Sequence, residues 1–503
     1  MSAQSPDSAP RTRGDGISRN AMFAFGTQMG TAAFTAALTV FLTRELGPAG
    51  YGTFALALSV TGLILRPSAG GSSQAAARFI AERHGDITAI VGVLGLALRT
   101  RLLTAAGASV AVFALAGPIS DLYNAPEMAW PLRGAAIALF GQSLVGFVTA
   151  IFIALRRASG GFVLVLSEAA MEFTASVTLV LLGAGVTGAA FGRAIGYGLG
   201  ALLGIVLLAR FLRRSPLLGT GRSAVGRREF VSYAGTMFVV SLASVAFSQM
   251  PALLLGAFLS TAAVGVYVAP LRLIAFLRYP GQALAEGVAP RMARHPDDSP
   301  TVGALTRGLG YMVIVQAGLA AFLLVWAEPL VRLVLGTQFI ESAEVLRALT
   351  PYVLLGGLGP MVVSPLNYAG EGRRRVPIAI ATVAVGAAID VALIPTIGVL
   401  GAAVGTDVGY ALYVGGHLWL CHRFLDLPLR PLAATATRSL LAAAAMAAVL
   451  ALAGTVELSA LEWIGGLIGG SGAFLAVLLA TRELSVGEIR FISSLPARAL
   501  RSG

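Results

Sequence analysis

The sequence predicts an all-α polytopic membrane protein: about fourteen transmembrane helices, set out as two six-helix lobes in a parallel pseudo-two-fold repeat with two further C-terminal helices. Three observations predict it. Hydrophobic residues make up 56% of the 503-residue chain and charged residues 12%, with a mean hydropathy of +0.82, whereas a soluble domain is about 25% charged. The apolar residues fall in continuous runs near the roughly 20 residues that cross ~30 Å of hydrocarbon. An ungapped offset of 213 residues also brings features of the first half onto the second, as Gly52 onto Gly265.

The runs are 21–42, 52–76, 102–117, 132–155, 162–183, 187–212 and 231–258, followed by 262–289, 305–327, 345–369, 376–395, 398–420, 434–454 and 461–481. The third has an amphipathic lead-in from Asp86. Because the runs are continuous rather than alternating, helices are the expected spanning element.

The repeat pairs Phe54 with Tyr267, Pro67 with Pro280, Phe25 with Phe238, Phe34 with Phe247 and Leu58 with Leu271. Six helices is an even number, so the second copy keeps the orientation of the first and the relating axis runs along the membrane normal. A cavity between the two lobes follows. The domain reading is a polar cytoplasmic N-terminus at 1–20, a lobe at 21–212, a cytoplasmic linker at 213–229, a second lobe at 230–422, two added helices at 423–481 and a cytoplasmic tail at 482–503. The first twenty residues carry no short apolar core with a cleavage site, so the first helix is expected to act as the insertion signal.

A formal charge of +12 would raise nucleic-acid binding in a soluble chain. Here all 36 basic residues are arginine, and most sit on alternate connections. Arg11, Arg13 and Arg19 precede the first span, Arg210 to Arg228 hold six around the linker, and Arg373 to Arg375 follow the tenth span. That is the positive-inside distribution: a multi-pass protein of a bacterial cytoplasmic membrane, both termini cytoplasmic, its arginines meeting anionic membrane lipids and not nucleic acid. The opposite connections hold Arg44, Arg133, Arg332 and Arg347.

Several chemistries are excluded. The single cysteine, Cys421, rules out an internal disulfide, and without lysine there is no GxxxxGK[ST] phosphate loop. His84, His295, His417 and His422 are scattered and form no HExxH signature. No metal, cofactor or catalytic residue is expected. The connections opposite the termini are short, the stretch 328–347 reading as an amphipathic interfacial helix, which leaves no loop large enough for a polymerase or glycosyltransferase site.

The segments RELGPAGYGTFALALS at 44–59, ARFIAERHGD at 77–86, STAAVGVYVAPLRL at 260–273, LVLGTQFIESAEVLRAL at 333–349, PLNYAGEGRRR at 365–375 and VLGAAVGTDVGY at 399–410 resemble the polysaccharide-biosynthesis or O-antigen flippase family. The resemblance covers about residues 18–425. It implies membership of the superfamily that also holds lipid II flippases and multidrug and toxin extrusion antiporters, with two six-helix lobes around a cavity. It further implies alternating access that moves an undecaprenyl-diphosphate-linked oligosaccharide to the outer leaflet for cell-surface polysaccharide synthesis, alongside polymerase or export proteins. The rival readings are a cation-coupled multidrug exporter of the same fold and a polysaccharide polymerase or glycosyltransferase.

Charges inside spans cost at least ~2.5–3.5 kcal/mol each on insertion scales, so each is a candidate for function. Arg66 lies ~21 Å along the second span and Arg272 ~15 Å along the eighth, with Arg278 about 120° further round the same helix. A guanidinium stays charged and binds phosphate through paired hydrogen bonds. Arg66 and Arg272, with Arg278, are therefore the candidate headgroup contacts, against a structural pairing. The lipid II flippases resemble this in using arginines on the first, second and eighth helices; here only the second and eighth match, and the first offers Thr27, Gln28 and Thr31.

Glu168 and Glu172 are four apart and share a face of the fifth span. Two like charges at that depth oppose one another, so the pair suits either ion coupling or a structural pairing with Arg193. Asp390 and Asp407, on the eleventh and twelfth spans, either bind a cation together or hold the second lobe closed. Pro67, Pro251 and Pro280 interrupt spans, as bends used in transport or as static kinks.

Overall fold

The computed structural model describes residues 17–68, 76, 87–155, 157–214, 227–282, 284, 285 and 299–484, and among these there is no β-strand. Among the described residues, eight helical stretches are long and apolar enough to cross a membrane. Helix α1 (Ile17–Ser68) has 52 residues, which would reach about 78 Å if straight, more than twice the hydrocarbon thickness. Gly47 breaks it at φ 63°, a left-handed value that a Cβ would penalise. Beyond the break Tyr51 returns to lie beside Thr39.

Helices α2 (Ile87–Ala114), α3 (Ala116–Leu122), α4 (Ala129–Ala154), α5 (Ala158–Leu179) and α6 (Gly185–Arg214) complete the first half. Helix α2, which carries the third span, begins at Ile87, where the sequence places the amphipathic lead-in, and its apolar stretch starts at Leu94, earlier than residue 102. Its early turns are apolar, but Arg99 and Arg101 interrupt the run and hid the helix from a count of uncharged residues. Between α5 and α6 the chain turns through Gly183 and Gly185, both at positive φ. The two helices then run antiparallel, with Gly192, Gly196 and Gly200 of α6 set against Ser176, Glu172 and Glu168 of α5. A Cβ at Gly196 would come 2.5 Å from the Glu172 Cα, so the four-residue glycine spacing is what lets these backbones meet.

The second half comprises α7 (Arg227–Phe258), α8 (Thr261–Ile274), α9 (Ser299–Val334), α10 (Ser342–Ala348), α11 (Thr350–Gly356), α12 (Leu358–Tyr368), α13 (Val376–Ile397) and α14 (Val399–Leu425). Its α13–α14 pair repeats the α5–α6 arrangement, with Gly401 and Gly405 against Ile394 and Asp390. The tenth span is broken rather than continuous: Ser342–Ala348 and Thr350–Tyr368 meet at a bend of 52°. The expected linker lies mostly outside the described residues, as do residues 1–16 and 485–503 of the two tails.

The stretch 328–347 is not an interfacial helix. Residues 328–334 end α9, a 3-10 turn covers Thr337–Phe339, and α10 follows. Phe339 is fully buried, packing edge-on at 6.2 Å against Tyr51 of the other half. Ser342 Oγ donates to the Val266 carbonyl at 2.7 Å. The apolar side of this segment is inserted between the halves, where it joins a buried core that includes Leu42, Leu56, Leu255, Val264 and Tyr267.

Helices α15 (Leu429–Ala453) and α16 (Ala460–Ala480) pack together and dock on α9. The anchor is Trp326, fully buried where α9 kinks. Its indole N–H is shared between the carbonyls of Leu450 at 3.2 Å and Gly454 at 3.0 Å, and its ring meets Trp463 edge-on at 4.7 Å. A Trp ring buries a large area while its N–H still needs a partner, and the unpaired carbonyls at the end of α15 supply one. Helix α16 opens on a capping box between Ser459 and Glu462.

Candidate functional site

Two clusters of buried polar side chains and one exposed arginine are the candidates among the described residues. The first is on the glycine-lined seam of α5 and α6. Glu168 is 4% exposed and Glu172 8%. Arg193 Nη1 donates to Glu172 Oε1 in an ion pair, while the guanidinium lies 4.7 Å from the Tyr197 ring centroid. Oε1 of Glu168 has no hydrogen-bond partner among the described residues. One cation thus serves two carboxyls, and Glu172 holds it. The glycine seam positions them: a Cβ at Gly200 would press 2.7 Å from the Glu168 Cγ.

The second cluster is in the other half. Asp390 is 2% exposed, and its Oδ1 has no hydrogen-bond partner among the described residues. It borders a small pocket with Phe247, Met250, Gly386, Gly405 and Thr406. The Thr406 hydroxyl bonds the Tyr267 hydroxyl at 2.6 Å. Asp407, the next residue on α14, faces elsewhere: its Oδ1 accepts the backbone N–H of Tyr352 at 2.9 Å. The two aspartates therefore make different contacts, and only Asp390 borders the pocket. Among the described residues no three His, Cys, Asp or Glu side chains gather as a metal site.

The third candidate is a single arginine at the seam between halves. Arg272, in the last turn of α8, is exposed, and no ion pair holds it among the described residues. Its charge reaches the Tyr51 hydroxyl across the seam. Arg66 lies on α1, two residues before the helix ends; its side chain and that of Arg278 fall outside the described set. Pro67 is placed in backbone only, Pro280 is exposed, and Pro251 lies within α7 without ending it.

Two further buried polar residues stand outside the sequence-predicted site, Arg101 and His417. Arg101, midway along α2, is 5% exposed. Its Nε and Nη2 both donate to the Ser143 carbonyl, at 3.1 and 2.8 Å, and Nη1 has no partner among the described residues. The apolar stretch from Ile87 to Leu98 was the signal for an intramembrane arginine here. His417 is fully buried, its Nδ1 2.7 Å from the Tyr413 carbonyl and its Nε2 3.1 Å from Arg375 Nε. A carbonyl only accepts and an arginine only donates, so this histidine is neutral, with its proton on Nδ1. Arg375 also donates to Asn367 at 2.5 Å, which makes it an architectural residue as well as a topological charge.

The chain has the fold of several solved transporters. It superimposes on the lipid II flippase MurJ in an inward closed conformation with a TM-score of 0.73, at 14% identity over 92% of this chain and 99% of that one. The MATE multidrug transporter DinF-BH matches with a TM-score of 0.62 at 16% identity, over 83% of this chain and 99% of that one. An inward-facing multidrug resistance MATE family transporter of the MOP superfamily gives 0.61 at 16% identity, over 81% and 98%. No curated protein matches in sequence. The family described as polysaccharide biosynthesis protein matches residues 17–278, more than half of the chain. With its helices long and apolar enough for repeated crossing, the chain is a multi-pass membrane protein and belongs to the polysaccharide biosynthesis protein family.

Proposed function

We propose that the protein is a flippase that carries an undecaprenyl-diphosphate-linked oligosaccharide across the bacterial cytoplasmic membrane by alternating access, breaking no covalent bond. Family membership supports the pathway. The observation that carries the reading is Arg272, an exposed guanidinium without an ion pair among the described residues, at the seam of the two halves. An arginine at the depth the sequence gives Arg272 is costly unless an anion meets it, and a diphosphate is an anion of fitting geometry. Arg66 is assigned with it, and Arg278 as a contact nearer the cytoplasmic side. The arginine distribution supports cytoplasmic termini, so the end bearing Gly47, Gly336 and Gly398 faces outward.

Asp390 favours a cation as the coupling partner, since its unpartnered oxygen borders a pocket beside the Thr406 hydroxyl. Glu172 and Arg193 read as a structural pair, with Glu168 left as the second coupling candidate. Asp407 reads as a helix cap.

Purified protein in liposomes tests the proposal through reorientation of a labelled polyprenyl-diphosphate sugar. Reorientation with an unchanged sugar chain is expected, and the Arg66→Ala, Arg272→Ala double variant should lose it at normal membrane abundance. New glycosidic products would replace this reading with a polymerase or transferase. Uptake of a cationic dye in place of the lipid would replace it with a multidrug exporter.

A further inference from the structure

The offset of 213 residues has a physical counterpart. Gly52 and Gly265 meet backbone to backbone at the arginine-poor end of the bundle. A Cβ at Gly52 would overlap the Thr261 carbonyl oxygen, and a Cβ at Gly265 would overlap the Pro48 carbonyl oxygen. Pro48 and Thr261 are themselves one offset apart, so each glycine sits on the carbonyl four residues before its counterpart. The relating axis passes through this crossing. Nothing larger than hydrogen fits on either side of it.

Side chains on the same end span the seam. Arg44 Nη2 donates to the Leu333 carbonyl at 2.5 Å and its Nε to the Val334 carbonyl at 3.4 Å, closing the last turn of α9 from the opposite half. Carbonyls at a helix C-terminus lack intrahelical donors and attract a cation. Tyr51 meets Phe339, and Leu56 lies against Gly256 of α7. The other arginines of this end are held within their own halves: Arg133 stacks at 4.6 Å over Trp130, and Arg332 and Arg347 pair with Glu328 at 3.0 and 3.8 Å. Arg44 bridges the halves.

We propose that the crossing of Gly52 with Gly265, clasped by Arg44, is the outer gate of the protein. The clasp is reversible by construction. At the glycines backbone separates from backbone, and the polar bonds released are those of one exposed arginine to two carbonyls, together with the Tyr51–Phe339 contact. Arg44 is a positioning residue here, acting on α9 and not on cargo. The proposal takes from the transport reading only the nature of what passes.

The test is thiol protection. In a Cys421→Ser background, Leu56→Cys places a reporter at a fully buried position on the seam, to be reacted with a membrane-impermeant maleimide added outside intact cells. The reporter alone should react slowly. Adding Arg44→Ala should speed reaction about tenfold or more, the value of a charge-assisted hydrogen bond as a population shift. Arg44→Lys, which still donates to those carbonyls, should restore most of the protection. Gly265→Val, which cannot close, should react fastest and lose any reorientation of lipid-linked sugar.

Unchanged protection in both Arg44→Ala and Gly265→Val, at normal abundance, would overturn the gate. So would equal rates for Arg44→Ala and Arg44→Lys. If Gly265→Val fails to accumulate, the arginine series decides alone. Labelling needs no cargo, so a responsive gate in a protein that reorients no lipid would sink the transport reading and leave the gate standing.

Discussion

The carboxylate of Asp407 on α14 accepts the backbone N–H of Tyr352 at 2.9 Å, so an acid on one span closes the first turn of the broken span beside it. The bend of 52° leaves α11 with amide groups that the preceding helix cannot satisfy. Asp407→Ala should lower stability by about 1 kcal/mol, the usual value of a cap, and Asp407→Asn should keep most of it. Thermal unfolding in detergent reads both; equal losses for the two variants would remove the capping role.

Glu172 and Arg193 are strongly coupled if their contact is the reason both survive in the bilayer. Breaking a buried pair from one side costs about 3–5 kcal/mol, more than replacing both partners. Glu172→Gln and Arg193→Met should each unfold at a markedly lower temperature than the double variant does. Additive losses around that cycle would show two independent residues.

Asp390 should carry the ion dependence of transport. Asp390→Asn keeps the shape and removes the charge, so reorientation driven by an imposed Na⁺ or H⁺ gradient should fall to the rate without a gradient. Gly405→Ala should do the same by displacing the carboxylate, since a Cβ there would overlap its Oδ1. A retained gradient response in Asp390→Asn would move the coupling site, with Glu168 next to be examined.

Trp326 holds α15 through one shared N–H. Trp326→Phe keeps most of the buried ring but leaves the Leu450 and Gly454 carbonyls unpaired, at a cost of about 1–3 kcal/mol. Limited proteolysis near residue 455 should become faster while the core of α1 to α14 stays intact. Unaltered cleavage would mean that the edge contact with Trp463 suffices.

Much of this was legible in the sequence because membrane helices advertise themselves by continuous apolarity, and because a duplicated chain keeps its glycines where backbones cross. Gly52 and Gly265, one offset apart in sequence, are the residues that touch. Arg101 was missed for the converse reason: two arginines in a short span look like its edge, and only packing on Ser143 shows that the helix continues beneath them. The α10 segment was misplaced because its amphipathic pattern describes insertion between lobes as well as rest on a lipid surface. The separation of Asp390 on α13 from Asp407 on α14 depends on which side of α14 meets α13: Thr406 borders the Asp390 pocket, and Asp407, the adjacent residue, points about 100° away.

The ion pair between Glu172 and Arg193 has a consequence for biogenesis. Both partners belong to a single helical hairpin, turned at Gly183 and zipped by glycine, so the hairpin can close as it leaves the insertion machinery. Each charge alone would add about 2.5–3.5 kcal/mol to the cost of entering lipid. Paired within one hairpin, Glu172 and Arg193 lower the cost of bringing α5 and α6 into lipid as one unit.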